Sequence, residues 1–141
     1  MNIDIGYCNR NEILHVVRDK RALTEVETTK LAGMMQISSS VYSGMIDGEL
    51  VCIWGFVPPS LLSDEAYLWL CATPRLEDHK FLFIRHSQRV VEKMLETYPR
   101  IVGFCDEGNR LAIQWITWLG GRFDRPVNGR VNFEITRKLH G

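Results

Sequence analysis

Polar and apolar positions alternate at the two ends of the chain, while its middle carries nearly unbroken apolar runs. Ile3, Ile5 and Tyr7 alternate with polar neighbours and predict a strand over 2–7. Asn9 or Asn11 can cap a helix running through Val17. A second helix fits 23–35. Thr24 and Glu27 have the spacing of a capping box there, and Leu31, Met34 and Met35 supply a partial apolar face. Two apolar runs, 40–46 and 50–57, flank Asp47-Gly48-Glu49, the short-range signature of a hairpin. Pro58-Pro59 stops the second run.

The runs 50–57 and 67–73 are apolar at both odd and even positions. Such strands need cover on both faces, which calls for helices on each side of a sheet. A long helix follows over 79–97. Ile84, Ser87, Val91, Met94, Leu95 and Tyr98 share one face of it, and Pro99 ends it. The run 100–106 again reads as a strand apolar on both faces. A helix over 107–119 carries Leu111, Trp115, Trp118 and Leu119 on one side and stops at Gly120-Gly121. The last strand, 131–137, sets Val131, Phe133 and Ile135 against Asn132, Glu134 and Thr136, so one of its faces meets water. The predicted order is β-α-α-β-β-β-α-β-α-β, an α/β mixed sheet with helices on both faces in a single domain, 1–141.

Composition narrows the functional classes. Seventeen basic and seventeen acidic residues cancel, so no global charge draws the chain to nucleic acid or to an anionic membrane. Cys8, Cys52, Cys71 and Cys105 show no C-x-x-C spacing and no histidine at ligand spacing. Buried reduced thiols are the plain reading, a zinc site or a disulfide the sharper ones. The first residues lack a basic segment followed by an apolar one, and the longest apolar run, 50–59, is too short to cross a bilayer. Both point to synthesis in a reducing cytoplasm. Ser38-Ser39-Ser40 has no nucleophile elbow, and neither a P-loop nor a G-x-G-x-x-G is present. His79 and His86 are seven apart on one helix, where a solvated face explains them and a metal would need more ligands. Trp54, Trp69, Trp115 and Trp118 can be core, or an aromatic contact for a partner.

The element order resembles the GNAT (Gcn5-related N-acetyltransferase) superfamily over nearly the whole chain. The local match is the stretch from Asn109 through Ala112, Trp115 and Ile116 to Gly120, which is similar to the family's N-x-x-A-x-x-L-Y-x-K-x-G-F helix, with Phe123 as the following aromatic. A splayed parallel pair at 67–73 and 100–106 is the feature this resemblance requires. A narrower likeness, carried by Gly48-Glu49-Leu50, Trp54-Gly55, the Trp69 strand and the Gly108–Gly121 segment, is to acetyltransferase-like internal virion proteins of short-tailed phages.

The resemblance implies a test of chemistry. The family holds the pyrophosphate of coenzyme A with [Q/R]-x-x-G-x-[G/A], whose glycines let backbone amides reach the phosphates. Arg75 fits the first position, but Asp78 and Lys80 replace the glycines. A carboxylate near a phosphate costs about 4 kcal/mol at 4 Å and an effective dielectric near 20, before screening. Glu77 and Asp78 are equally the acidic first turn of a helix. The cofactor-contacting set that the resemblance implies is Cys71, Ala72, Thr73, Arg75, His79, Lys80, Asn109 and Ala112. The tyrosine that commonly protonates the leaving thiolate is replaced by Ile116. A general base can come from Glu49, Asp64, Glu65 or Asp106, or from a histidine. Asp106, at a strand end, is the best placed, though with Glu107 it can also cap the next helix.

The expectation is therefore a GNAT-fold protein, a pseudoenzyme or at most weakly catalytic, that acts through protein partners. The phage likeness implies a virion-associated or ejection component, made in the host cytoplasm and carried in the virion. No cofactor, metal, nucleic acid or membrane is expected. The alternative is an acyltransferase using acetyl-CoA through an atypical loop.

Overall fold

The structure, a computed structural model, describes residues 2–8, 11, 14, 25–58 and 65–137. The elements are β1 (Ile3–Tyr7), α1 (Glu25–Ile37), β2 (Ser40–Ile46), β3 (Glu49–Val57), β4 (Ala66–Ala72), α2 (Leu76–Thr97), β5 (Arg100–Asp106), α3 (Arg110–Trp118), β6 (Arg122–Phe123) and β7 (Arg130–Thr136). The strands are hydrogen-bonded in the order β1-β2-β3-β4-β5-β7-β6, a mixed α/β sheet. Apart from Asn11 and Leu14, the helix predicted from Asn9 or Asn11 to Val17 lies outside the described residues, as does the Thr24 end of the capping box. The chain forms two compact units, Met1–Val57 with Trp69–Asp78, and Pro58–Leu68 with His79–Gly141.

In the first unit, β1, β2 and β3 form an antiparallel meander. Asp47 and Gly48 both take positive φ, 51° and 77°, so the predicted hairpin closes with a type I′ turn whose twist matches the strands. Asn2 ties the adjacent strand to this turn by donating its amide to Asp47 Oδ1 at 2.7 Å. β3 is buried from Leu50 through Phe56, so both its faces are covered as its pattern requires. β1 forms where the alternation predicts a strand. Ile3 is 41% exposed and Tyr7 78%, because β1 pairs only with β2 and stands at the sheet edge. On α1, Leu31 and Met35 are buried and Met34 is half-buried. Trp69 Nε1 donates to Ser38 Oγ at 2.7 Å, and Ser38 in turn donates to the Met34 carbonyl.

In the second unit, β5 pairs along its whole length with β7, which pairs with β6. Val131, Phe133 and Ile135 are buried, as the alternation predicts. β6 has two residues, too few for any period to announce. On α2, Ile84, Ser87, Val91 and Leu95 are buried, together with Phe83. α3 corrects the predicted stripe. Its buried positions are Ala112, Trp115, Ile116 and Leu119, while Trp118 is 50% exposed. These four follow the i, i+3, i+4, i+7 spacing of one helix face, and Trp118 lies off that face. Asn109, rather than Asp106 or Glu107, is the N-cap, with its side chain accepting from the Ala112 amide at 3.1 Å. Gly120, at φ 87°, closes the helix. The Gly120 amide donates to Thr117 and the Gly121 amide to Ile116, a Schellman end.

β5 also differs from its reading as a strand covered on both faces. Ile101 and Gly103 are buried, but Val102 is only half-buried and Phe104 is 42% exposed. The ladder places Tyr67, Val102, Phe104, Asn132 and Glu134 on one face. Among the described residues of this unit, side chains lie over that face. The Arg130 guanidinium lies over the Phe104 ring, 3.4 Å from its centroid, and Tyr67 lies 5.9 Å away on the same ring.

Candidate functional site

The predicted cofactor residues fall into both units. In the first, β4 ends at Ala72 and Thr73 begins the turn that leads to α2. Thr73 is buried and its bonds are internal. Its amide donates to the Val51 carbonyl at 2.9 Å, and its hydroxyl lies 3.0 Å from the Leu50 and Val51 carbonyls. The β2–β3 register shifts beside Gly44 and Met45, leaving Val51 without a partner on β2. Thr73 therefore meets the backbone group that the bulge releases. Cys71 is half-buried and Ala72 exposed.

Arg75 makes an ion pair with Glu49. Both side chains are more than a third exposed, so the pair is worth about 1 kcal/mol or less and a competing anion can displace it. The backbone is the firmer constraint. The amides of Leu76, Glu77 and Asp78 donate to the carbonyls of Thr73, Pro74 and Arg75 at 3.1, 3.4 and 3.3 Å. These amides close the turn on itself instead of pointing outward to a phosphate. The Glu77 and Asp78 side chains are exposed, which screens their charge. The obstacle to a pyrophosphate here is thus the inward amides and the added side-chain bulk more than Coulomb repulsion.

In the second unit, β4 and β5 pair in parallel at Ala66–Ile101 and Tyr67–Val102, a ladder two pairs long. Asp106 is exposed at the end of β5, where its carbonyl accepts from the Asn109 amide at 3.0 Å. Asn109 Oδ1 is engaged in its cap, and Ala112 is buried. Ile116, at the position of the family's tyrosine, is fully buried. His79 leaves helical geometry, at φ −131° and ψ 15°, a break inside α2. The Lys80 ammonium sits 5.5 Å from the Phe81 centroid.

Sequence reasoning missed an open cavity of about 290 Å³ on the Tyr67–Phe104 face of the second unit. Tyr67, Arg100, Phe104, Asp124, Arg130 and Glu134 are among the residues that line it. Arg100 is bridged to Glu65 and, at 2.7 Å, to Glu134. Burial pushes the Tyr67 phenol up to about 12, against the pull of the Arg130 charge. Period-two alternation could have flagged this face, but the apolar Val102 and Phe104 masked it.

The four cysteines are thiols, none in a disulfide. Burial pushes the Cys52 and Cys105 thiols up, helped by Cys71 and Asp106 respectively. A native protein treated with a thiol-specific dye should leave Cys52 unmodified until it unfolds. Rapid labelling of Cys52 in the native state would contradict its placement. Among the described residues no group of three or more His, Cys, Asp or Glu could hold a metal ion, and no helix is long and apolar enough to cross a membrane.

An acetyltransferase from Streptococcus pneumoniae superposes with a TM-score of 0.67 at 10% identity, covering 96% of this chain and 99% of that one. The fold is that of the GNAT acetyltransferases. An aminoglycoside acetyltransferase in complex with coenzyme A matches with a TM-score of 0.67 at 12% identity, over 98% of this chain and 96% of its own. A Thermoplasma acidophilum N-acetyltransferase, also in complex with coenzyme A, gives 0.63 at 12% identity over 96% and 99%. No family model and no curated protein matches the chain. Identities this low share the GNAT architecture and leave the chemistry to be argued residue by residue.

Proposed function

We propose that this chain is a GNAT-fold protein that acts by binding a protein partner rather than by transferring an acyl group. The observation that carries this reading is the turn after β4, where the amides of Leu76, Glu77 and Asp78 are bonded to their own chain. A pyrophosphate cradle needs such amides free, and glycines to bring them close. Ile116 adds to the case, since a buried alkyl side chain cannot protonate a leaving thiolate. The likeness in sequence to internal virion proteins of short-tailed phages supplies a setting, a virion-associated or ejection component made in the host cytoplasm.

Titration calorimetry with acetyl-CoA tests the reading. No binding is expected at millimolar cofactor, and micromolar affinity would overturn it. The variant Glu49→Gln/Asp78→Gly/Lys80→Gly frees Arg75 and reopens the turn, and it is expected to gain affinity over the parent chain.

A second reading, an acetyl-CoA-dependent N-acetyltransferase, is favoured by one feature. Arg75 Nε is buried with no hydrogen-bond partner, four residues before the break at His79. Turnover of acetyl-CoA against a panel of amines would decide for it.

A further inference from the structure

β1 lies at one end of the sheet, and β6, at the other end, is only two residues long. Short, bulged or proline-bearing edge strands resist further pairing, as do edges rich in lysine. β6 is blunted by its length. β1 has none of these devices. Its residues, Ile3-Asp4-Ile5-Gly6-Tyr7, include no proline or lysine, and its register with β2 runs from Ile3–Ile46 to Tyr7–Tyr42 without a slip.

The ladder fixes where the free backbone groups point. The Asp47 amide donates to the Asn2 carbonyl at 2.8 Å, and the Cys8 amide to the Val41 carbonyl at 2.9 Å. In antiparallel pairing, residues that bond to a neighbour alternate with residues that face away from it. Even-numbered residues therefore turn to β2, while Ile3, Ile5 and Tyr7 turn their N–H and C=O groups outward. Among the described residues no strand meets them. The side chains of these same residues share one face. There the Tyr7 ring stacks on Tyr42 with centroids 4.9 Å apart, and Tyr42 stacks on Trp54 at 5.6 Å. The row of rings ends at the edge, where Tyr7 is 78% exposed and Ile3 41%.

We propose that the β1 edge pairs with the β1 edge of a second copy of this chain, antiparallel about a two-fold axis between the two Ile5 residues. The strand's own sequence selects both the occupant and the register. With Ile5 opposite Ile5, every outward residue meets an outward residue, so the free amides and carbonyls of both copies are matched. Ile3 then faces the second copy's Tyr7, a β-branched side chain against an aromatic one, and the axis keeps both rows of rings on one side of the joined sheet. Asp4 faces the second copy's Gly6. The next register one way sets Asp4 against Asp4, a like-charge pair, and the next the other way leaves Ile3 unpaired. Pairing over five residues buries less than the roughly 800 Å² per partner of a standard interface, so the association is weak, dissociating at about 10 µM to 1 mM. The inference holds whether or not the chain transfers acyl groups.

Sedimentation equilibrium of the full chain from about 10 µM to 1 mM is expected to show the 16.3 kDa chain associating reversibly to a dimer. The Ile3, Ile5 and Tyr7 amides should gain protection from hydrogen exchange as the dimer fills. Gly6 supplies the register test, because a Cβ there meets nothing within 4 Å. Gly6→Lys, set against the second copy's Asp4, should tighten the dimer about threefold or more, and Gly6→Asp should weaken it by about the same factor. Ile5→Pro removes an outward N–H that no β2 carbonyl uses, and should weaken the dimer about tenfold. A chain still monomeric at about 1 mM overturns the proposal, as does a dimer on which Gly6→Lys and Gly6→Asp act alike. Protection of the Ile3, Ile5 and Tyr7 amides that does not change with concentration would mean that another segment of the chain occupies the edge, and overturns it too.

Discussion

Trp115→Ala is expected to cost about 4 kcal/mol of unfolding free energy. Trp115 is 1% exposed, and its indole fills the space between α3 and the buried face of α2. Its Nε1 donates to Ser87 Oγ at 2.7 Å, and Ser87, itself buried, donates to the Ile84 carbonyl at 2.8 Å. Truncation removes both the packing and one link of that chain. Ser87→Ala should cost less, about 1–3 kcal/mol, because it strands a buried indole N–H without opening a large cavity. Trp118→Ala, three residues on, should stay within about 0.5 kcal/mol of the parent, since that ring is half in solvent. Urea denaturation of the three variants orders them. If Trp115→Ala loses no more than Trp118→Ala, the orientation of α3 is wrong. The first unit uses the same device, Trp69 to Ser38 to the Met34 carbonyl, so a serine near a helix carbonyl satisfies a buried indole in each.

Those two tryptophans mark the limit of what the chain discloses as a string. The pattern predicts a helix over 107–119 and a stripe along it, but it assigns Trp118 inward and leaves Ile116 out. Both are large and apolar, so composition cannot rank them. Only the angular position relative to Ala112 and Leu119 does. Where two signals coincide, prediction and structure agree. Asp47-Gly48 between apolar runs closes the β2–β3 turn, and the strict alternation of Val131, Phe133 and Ile135 buries one face of β7. The bounds of β2 and β5 match because a turn or a proline punctuates them.

The candidate site was legible by residue type but not by engagement. Asp78 and Lys80 in place of glycines can be read directly. The Arg75–Glu49 pair joins positions 26 apart, and the Thr73 bonds to β3 depend on a bulge. No local period encodes either. The Tyr67–Phe104–Arg130 cluster was hidden for the converse reason. An aromatic on a central strand implies burial, yet here an arginine from the neighbouring strand supplies part of the cover and leaves the rest open.

Gly103→Ala is expected to destabilise the chain by about 3 kcal/mol or more, although it adds a single methyl group. A Cβ at Gly103 would lie 2.4 Å from Phe133 Cζ and 2.5 Å from the Leu68 carbonyl oxygen. The two contacts differ in kind. Phe133 is a side chain, but it is buried and packs edge to face on Phe123 with centroids 6.1 Å apart, so its ring has little room to turn. Leu68 offers backbone. Its carbonyl follows directly on the Ala66–Ile101 and Tyr67–Val102 pairs, and withdrawing it would strain the short ladder that joins β4 to β5. Phe133→Leu in the same chain should recover the ring's share of the loss and leave the backbone share, a coupling that a double-mutant cycle measures. Full recovery would assign the whole clash to the ring. A Gly103→Ala variant as stable as the parent, within about 0.5 kcal/mol, would mean that β4 and β5 do not approach this closely at Leu68.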